Sequence, residues 1–165
     1  MRTRPAPLPP TEAERSVVRT VQAVVVMAYI AIGGGIWQAT IHTPAPGTVA
    51  SPLRATPVDL VRLSGWTAAG GVVLAVAFFA LALWRLMLAP ASTPRILVAR
   101  RYAVRAAIAV GIASIPFVVQ SVAYRTGYTP ALGVSSAACL AAVIVLFPRV
   151  GALASLLGRR QARYG

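Results

Sequence analysis

Five of the polar side chains inside the long apolar stretches of this chain form a candidate stripe, and their types and spacing limit the chemistry available there. They are Ser114, Gln120, Ser121, Ser135 and Cys139. Ser114 and Ser121 are seven residues apart and Ser135 and Cys139 four, so each pair shares one helix face. Such groups either hydrogen-bond between helices or line a narrow water path. Because no charged ring accompanies them, the pattern favours interhelical hydrogen bonds over an ion-selective pore.

Ionisable groups that could serve catalysis or bind a metal are scarce in this sequence. The apolar stretches hold no Asp, Glu, Lys, Arg or His, the residues used in proton relays and in acid–base catalysis. His42 and Asp59 in the first loop are too few ligands for a metal. Cys139 has no cationic neighbour in the sequence to activate its thiol. We therefore expect a non-enzymatic protein with no catalytic residue, no cofactor and no metal.

The polar residues must be positioned by four apolar blocks, at residues 21–41, 63–84, 106–124 and 130–147. The chain has 165 residues, 58% of them hydrophobic, and a mean hydropathy of +0.73. Each block approaches the ~20 residues that a helix needs to cross a bilayer. The first block is longer than the ~7–15 apolar residues of a cleaved signal peptide. The pattern predicts an all-α, multi-pass membrane protein with four transmembrane helices in a bundle.

The two ends of the chain differ from this transmembrane domain, which we assign to residues 12–148. Residues 1–11 are rich in proline and predict a disordered tail. Thr11 and Glu14 have the spacing of a capping box, so the first helix is expected to begin near Glu12. Residues 149–165 combine arginines with apolar residues at helical spacing, which predicts an amphipathic helix on the inner surface.

The charge distribution predicts the orientation of the chain. All 16 basic residues are arginines, and the net charge is +13. Most arginines fall before the first block, in the loop at 86–105 and after the fourth block. Cytoplasmic loops carry the excess of basic residues, so both termini are expected in the cytoplasm of a bacterial inner membrane. Because the arginines flank apolar blocks and no reading motif accompanies them, nucleic acid is not an expected partner.

Four arginines of the inner loop are the candidate contact residues for anionic lipid headgroups or for a protein partner. They are Arg95, Arg100, Arg101 and Arg105. Arg101 and Arg105 are spaced i, i+4 and share a helix face, and basic side chains at this level attract anionic lipid. The alternative is that the four arginines only determine topology. A membrane or cytoplasmic protein and a second copy of the chain are the other expected partners.

The chain resembles an uncharacterised family of small four-span bacterial membrane proteins. The resemblance lies in a longer first outer loop, the second span ending Leu83-Trp84-Arg85-Leu86, the arginine-rich inner loop and the basic tail. The segment 100–120 also resembles part of a copper-resistance membrane family. However, the chain lacks the His and Met clusters that copper requires, so copper is not carried over. The first resemblance implies the four-span architecture and assigns no site residue.

The expected function follows from small size, basic cytoplasmic faces and the lack of catalytic chemistry. The use of arginine without lysine indicates a GC-rich bacterium or one of its phages. We expect partner binding or membrane sensing, for example in a phage, prophage or envelope accessory that acts in superinfection exclusion or defence. The alternatives are a membrane-permeabilising protein, such as a holin-like pore or an ion channel, and a small subunit of a larger transporter.

Overall fold

The computed structural model describes residues 9–41, 57–124 and 130–164, and the regular structure within these ranges is entirely helical. The helices are α1 (Glu12–Ile41), α2 (Pro57–Met87), α3 (Arg95–Tyr124), α4 (Pro130–Leu146) and α5 (Val150–Tyr164). The all-α prediction is therefore confirmed. Most of the proline-rich tail, His42 and the side chain of Asp59 lie outside the described residues.

Three of the helices are long and apolar enough to cross a membrane, at Glu12–Gly35, Gly65–Met87 and Arg95–Val119. Helix α4 has 17 residues, so at ~1.5 Å per residue it falls somewhat short of a ~30 Å hydrocarbon core. It passes as a span only together with α5, from which it is bent by 53°. The structure thus contains three to four candidate spans.

Helix boundaries differ from the sequence prediction most clearly in the segment 86–105, which was expected to be a loop. Helix α3 begins at Arg95, so only residues 88–94 connect α2 to α3. The carbonyl of Pro94 accepts the first amide hydrogen bonds of α3, from Leu97 at 3.0 Å and Val98 at 3.2 Å. Arginine has a high helix propensity, so the polar segment continues the apolar helix without a break.

The start of α1 is set by a local hydrogen-bond exchange, as the sequence predicted. The backbone N–H of Thr11 donates to Oε2 of Glu14 at 2.8 Å, and the N–H of Glu14 donates to Oγ1 of Thr11 at 3.3 Å. This capping box satisfies two amides that a helix leaves unpaired at its first turn. The predicted beginning of the helix at Glu12 is confirmed.

Helix α3 is the central element, because it packs against α1, α2 and α4. Within the described ranges, α1 contacts only α3 and α5, whereas α2 and α4 also contact each other. Glu14 near the start of α1 lies beside Arg95 at the start of α3, so these two helices run in the same direction. Arg105 of α3 bonds to Ala82 near the end of α2, so α2 runs in the opposite direction.

Two buried clusters form the core. The middle cluster joins α1, α2, α3 and α4 through small and aliphatic side chains, namely Val25, Ala75, Ala109, Val110, Ala113, Ala142 and Leu146. The second cluster lies where α1 and α3 begin and α2 ends, and it includes Val18, Leu86, Val98, Ala99, Tyr102, Ala103, Leu153, Leu156 and Leu157. We call this end of the bundle the arginine end, since α5 and the arginines of α3 belong to it.

Helices α2 and α3 approach most closely where Gly71 faces Pro116. A Cβ atom at Gly71 would overlap Cγ of Pro116 and lie 3.1 Å from its Cδ. One turn further along α2, Ala75 is fully buried. Small residues therefore bring the backbones of α2 and α3 together, as is common in membrane bundles.

Helix α5 packs on the bundle through its apolar face. Pro148, which has no amide hydrogen to donate, separates α4 from α5 and is itself fully buried. Leu153, Leu156 and Leu157 are buried in the arginine-end cluster. The predicted amphipathic helix is present, but its apolar face contacts the protein instead of facing lipid.

Candidate functional site at the arginine end

Arg95, the first of the four candidate arginines, joins two helices. Its Nε lies 3.1 Å from Oε1 of Glu14, and its Nη2 donates to Oε2 of Glu14 at 3.3 Å. The Nε contact is ionic only, because its geometry does not make a hydrogen bond. Nη2 also lies 3.3 Å from the carbonyl of Pro9. Arg95 therefore holds the beginning of α1 against the beginning of α3.

Arg105 also has a partner inside the protein. Its Nη1 donates to the carbonyl of Ala82 on α2 at 3.2 Å, and its side chain is partly buried. This contact holds the α2–α3 pair together near the level where α2 ends. Arg105 is thus less available for a headgroup than its position in the sequence indicated.

Arg100 and Arg101 remain as the exposed members of the predicted group. Both side chains point away from the core, and within the described residues neither makes a hydrogen bond or an ion pair. Other exposed arginines at the same end include Arg19, Arg85, Arg149, Arg159 and Arg163. This surface attracts anions such as the phosphates of lipid headgroups.

Two further side chains attach α5 to the bundle. The hydroxyl of Tyr102 on α3 donates to the carbonyl of Arg149 at 3.3 Å, and the N–H of Arg149 lies 3.2 Å from the same hydroxyl. Arg160 donates from Nη2 to the carbonyls of Ala89 and Pro90 at 3.1 and 2.9 Å. These bonds place the last turns of α5 just beyond the end of α2.

The described residues include only part of the predicted polar stripe. Ser114 makes a hydrogen bond with the hydroxyl of Tyr29 on α1 and donates to the carbonyl of Val110 at 2.6 Å. Cys139 is fully buried, and Ser135 one turn away on α4 is half-buried and has a polar partner. The side chains of Gln120 and Ser121 lie outside the described residues. Ser114 therefore acts as an interhelical contact, and the role of the whole stripe stays a prediction.

Two polar contacts of α1 are absent from the sequence prediction, which names polar groups only in the third and fourth apolar blocks. Besides Tyr29, Gln22 of α1 donates from Nε2 to the carbonyl of Pro148 at 2.7 Å. With Val18 and Val25, these residues recur at intervals of three or four along the face of α1 that touches the bundle. That interval was the available signal, since a polar residue on a buried helix face needs a partner.

The chemistry available at this end is binding by positive charge. Within the described ranges, no three metal-ligating side chains come together. Glu14, the one buried acid among the described side chains, is held by Thr11 and Arg95. The arginines can bind phosphate or carboxylate groups but do not supply a nucleophile or a general base.

Comparison of the chain with protein-family models, with curated proteins and with solved structures finds no match. The resemblance to small four-span bacterial membrane proteins therefore stays a prediction.

Proposed function

We propose that the chain is a non-enzymatic, four-span protein of a bacterial inner membrane, with both termini in the cytoplasm, that acts by binding membrane lipid and a protein partner. The arginine end would then face the cytoplasm, in agreement with the positive charge of cytoplasmic loops. In this placement α4 and the start of α5 together complete the fourth crossing.

The observation that carries the proposal is the packing between α2, α3 and α4. Ala75, Ala109, Ala113 and Cys139 are buried where these helices meet, and Gly71 lies against Pro116. Side chains this small let helices come into direct contact, which leaves no room for water between them. A monomer packed in this way supports a binding protein over a pore.

The outward faces of the helices support the membrane part of the proposal. Only 11% of the apolar window of α1 and 17% of that of α2 is buried within the chain. Large apolar side chains on these faces are open, among them Met27 at 64% and Val73 at 66% exposure. Apolar surface of this extent is stable against lipid or against another membrane helix.

The test measures the topology of the chain with reporter fusions and its conductance through the membrane potential, both in intact cells. Reporter fusions after residues 50 and 127 should report the periplasm, and fusions at 97 and 165 the cytoplasm. Expression should leave the membrane potential unchanged. A cytoplasmic signal at residue 50 would overturn the topology, and depolarisation that grows with expression would favour the holin-like or channel alternative.

We further propose that the protein belongs to a phage or envelope accessory system, because it is small and all of its basic residues are arginines. Cells that express it should resist infection by some phages and not others while growing normally. The measurement is the plating efficiency of a phage panel on expressing and non-expressing cells. Equal plating of every phage would contradict this assignment and leave the membrane-binding proposal in place.

A further inference from the structure

A groove of about 290 Å³ opens between α2 and α5 at the arginine end. Its α2 wall consists of Phe79, Leu83 and Met87, which are spaced four residues apart and therefore share one helix face. The floor includes Tyr102, whose ring centroid lies 6.3 Å from that of Phe79. This half of the groove is apolar apart from the Tyr102 hydroxyl, which is bonded to Arg149.

The α5 wall ends in a positive charge. Ala152, Ser155, Leu156 and Arg159 line it at helical spacing. The Ser155 hydroxyl donates to the carbonyl of Gly151 at 3.1 Å, so its proton is already in use. Arg159 is exposed and, within the described residues, makes no hydrogen bond or ion pair. Among the described side chains that line the groove, the Arg159 guanidinium is therefore the one polar group without a hydrogen-bond partner.

The groove is apolar at depth and charged near the surface. Arg160, the neighbour of Arg159, bonds to carbonyls just beyond the end of α2, which places Arg159 at the level where α2 leaves the apolar layer. Phe79 lies eight residues before Met87 on α2, about 12 Å deeper at ~1.5 Å per residue. An occupant must therefore present an anion at one end and a hydrocarbon at the other.

The lining of the groove limits its occupant. Three apolar side chains follow one another along α2, and the hydroxyls of Tyr102 and Ser155 are already bonded within the protein. The Arg159 guanidinium is left to pair with an anionic group. A flexible hydrocarbon chain is thin enough to lie along Phe79, Leu83 and Met87.

We propose that this groove binds an anionic phospholipid, with one acyl chain along the α2 wall and the phosphate at the Arg159 guanidinium. A planar guanidinium pairs with two phosphate oxygens at once. Because the choline cation of phosphatidylcholine offsets the charge of its phosphate, the guanidinium favours a headgroup with a net negative charge. This inference rests on the proposed membrane placement. It adds a specific lipid site that is separate from the exposed surface of Arg100 and Arg101.

The test uses the full-length protein in bilayer discs of 30% phosphatidylglycerol and 70% phosphatidylcholine, with a trace of either lipid carrying a photoreactive acyl chain. Crosslinks are mapped by mass spectrometry to residues 79–87 and 152–159. Phosphatidylglycerol should label these segments about fivefold more than phosphatidylcholine, the ratio expected for one basic side chain near a membrane surface. Arg159→Gln should reduce the labelling to the phosphatidylcholine level, and Ala152→Phe, which fills the groove, should reduce labelling by both lipids.

The matched control is Arg100→Gln, which removes another exposed arginine charge from the same end but does not line the groove. It should leave the labelling of these segments unchanged. Equal labelling by the two lipids, or equal loss in both arginine variants, would overturn the site, as would competition by inorganic phosphate alone. Extraction of the protein from membranes by alkaline carbonate would instead contradict the proposed membrane placement, so the two failures are distinguishable.

Discussion

Glu14 and Arg95 form an ion pair in which the two partners differ greatly in burial: the Glu14 side chain is 3% exposed and that of Arg95 38%. The Glu14 carboxylate is buried beside the start of α3, whereas the Arg95 guanidinium is partly exposed to solvent. Water therefore solvates Arg95 when the pair is broken but does not reach Glu14. The two halves of the pair are not equivalent for stability.

This difference predicts unequal effects of removing either charge. Arg95→Gln leaves a buried carboxylate without its cation, so we expect a loss of about 2–3 kcal/mol, below the range for fully buried pairs because Arg95 is partly solvated. Glu14→Gln leaves an arginine that can turn to water and should cost about 1 kcal/mol. Thermal unfolding of the detergent-solubilised protein measures both losses, with Arg100→Gln as the control. Equal destabilisation by the two variants would contradict the asymmetry.

The same pair shows how far sequence reasoning reaches. Thr11 and Glu14 are three residues apart, so their capping box could be predicted from local spacing alone. Arg95 is 81 residues from Glu14. The sequence pattern gives it the same candidate roles as the other inner arginines, namely contact with lipid or a partner or topology alone, because all of them are equivalent in a one-dimensional pattern. Only the packing of α1 against α3 distinguishes Arg95 from Arg100.

Gly70 and Gly71 are neighbours on α2, and we expect substitution by alanine to have different effects at the two positions. A methyl group at Gly71 overlaps Pro116, whereas one at Gly70 meets nothing within 4 Å. Gly71→Ala should destabilise the bundle by about 1–3 kcal/mol, because α2 and α3 must separate. Gly70→Ala should be neutral or stabilise it by up to ~1 kcal/mol through helix propensity. If the two variants shift the unfolding temperature in the same direction by the same amount, the close approach is wrong.

The Tyr102 hydroxyl helps to attach α5 to the rest of the bundle. Tyr102→Phe keeps the ring against Phe79 and removes both hydrogen bonds to Arg149, which should cost about 1–2 kcal/mol of α5 docking. Local opening then becomes about fivefold or more frequent, so limited trypsin digestion should cleave after Arg149 and Arg159 correspondingly faster. Ser155→Ala, which loses only a bond within α5, is the control. Unchanged cleavage in Tyr102→Phe would show that the leucines of α5 hold it without the hydroxyl.

The amphipathic pattern of α5 could be predicted from its sequence, but the surface that covers its apolar face could not. Leucines at helical spacing fit lipid and protein equally well, because both are apolar. The bend at Pro148 directs Leu153 and Leu156 onto the end of the bundle. That direction depends on the angle between two helices, which residue spacing does not contain.

The hydrogen bond between Ser114 and Tyr29 is expected in a packed bundle and allows a test that distinguishes the bundle from a pore. Because Ser114 also bonds to Val110, its hydroxyl is directed into the α1–α3 interface, and a cysteine at this position should stay away from water. In a Cys139→Ser background, Ser114→Cys should resist water-soluble maleimide, whose reaction needs a thiolate that forms only in contact with water. Ser92→Cys, in the exposed segment between α2 and α3, is the control and should label rapidly. Tyr29→Phe should cost about 1 kcal/mol or less, as for other interhelical bonds in membranes, and leave the membrane potential intact. Rapid labelling of the Ser114→Cys protein together with depolarisation would overturn the packed bundle and place the channel alternative first.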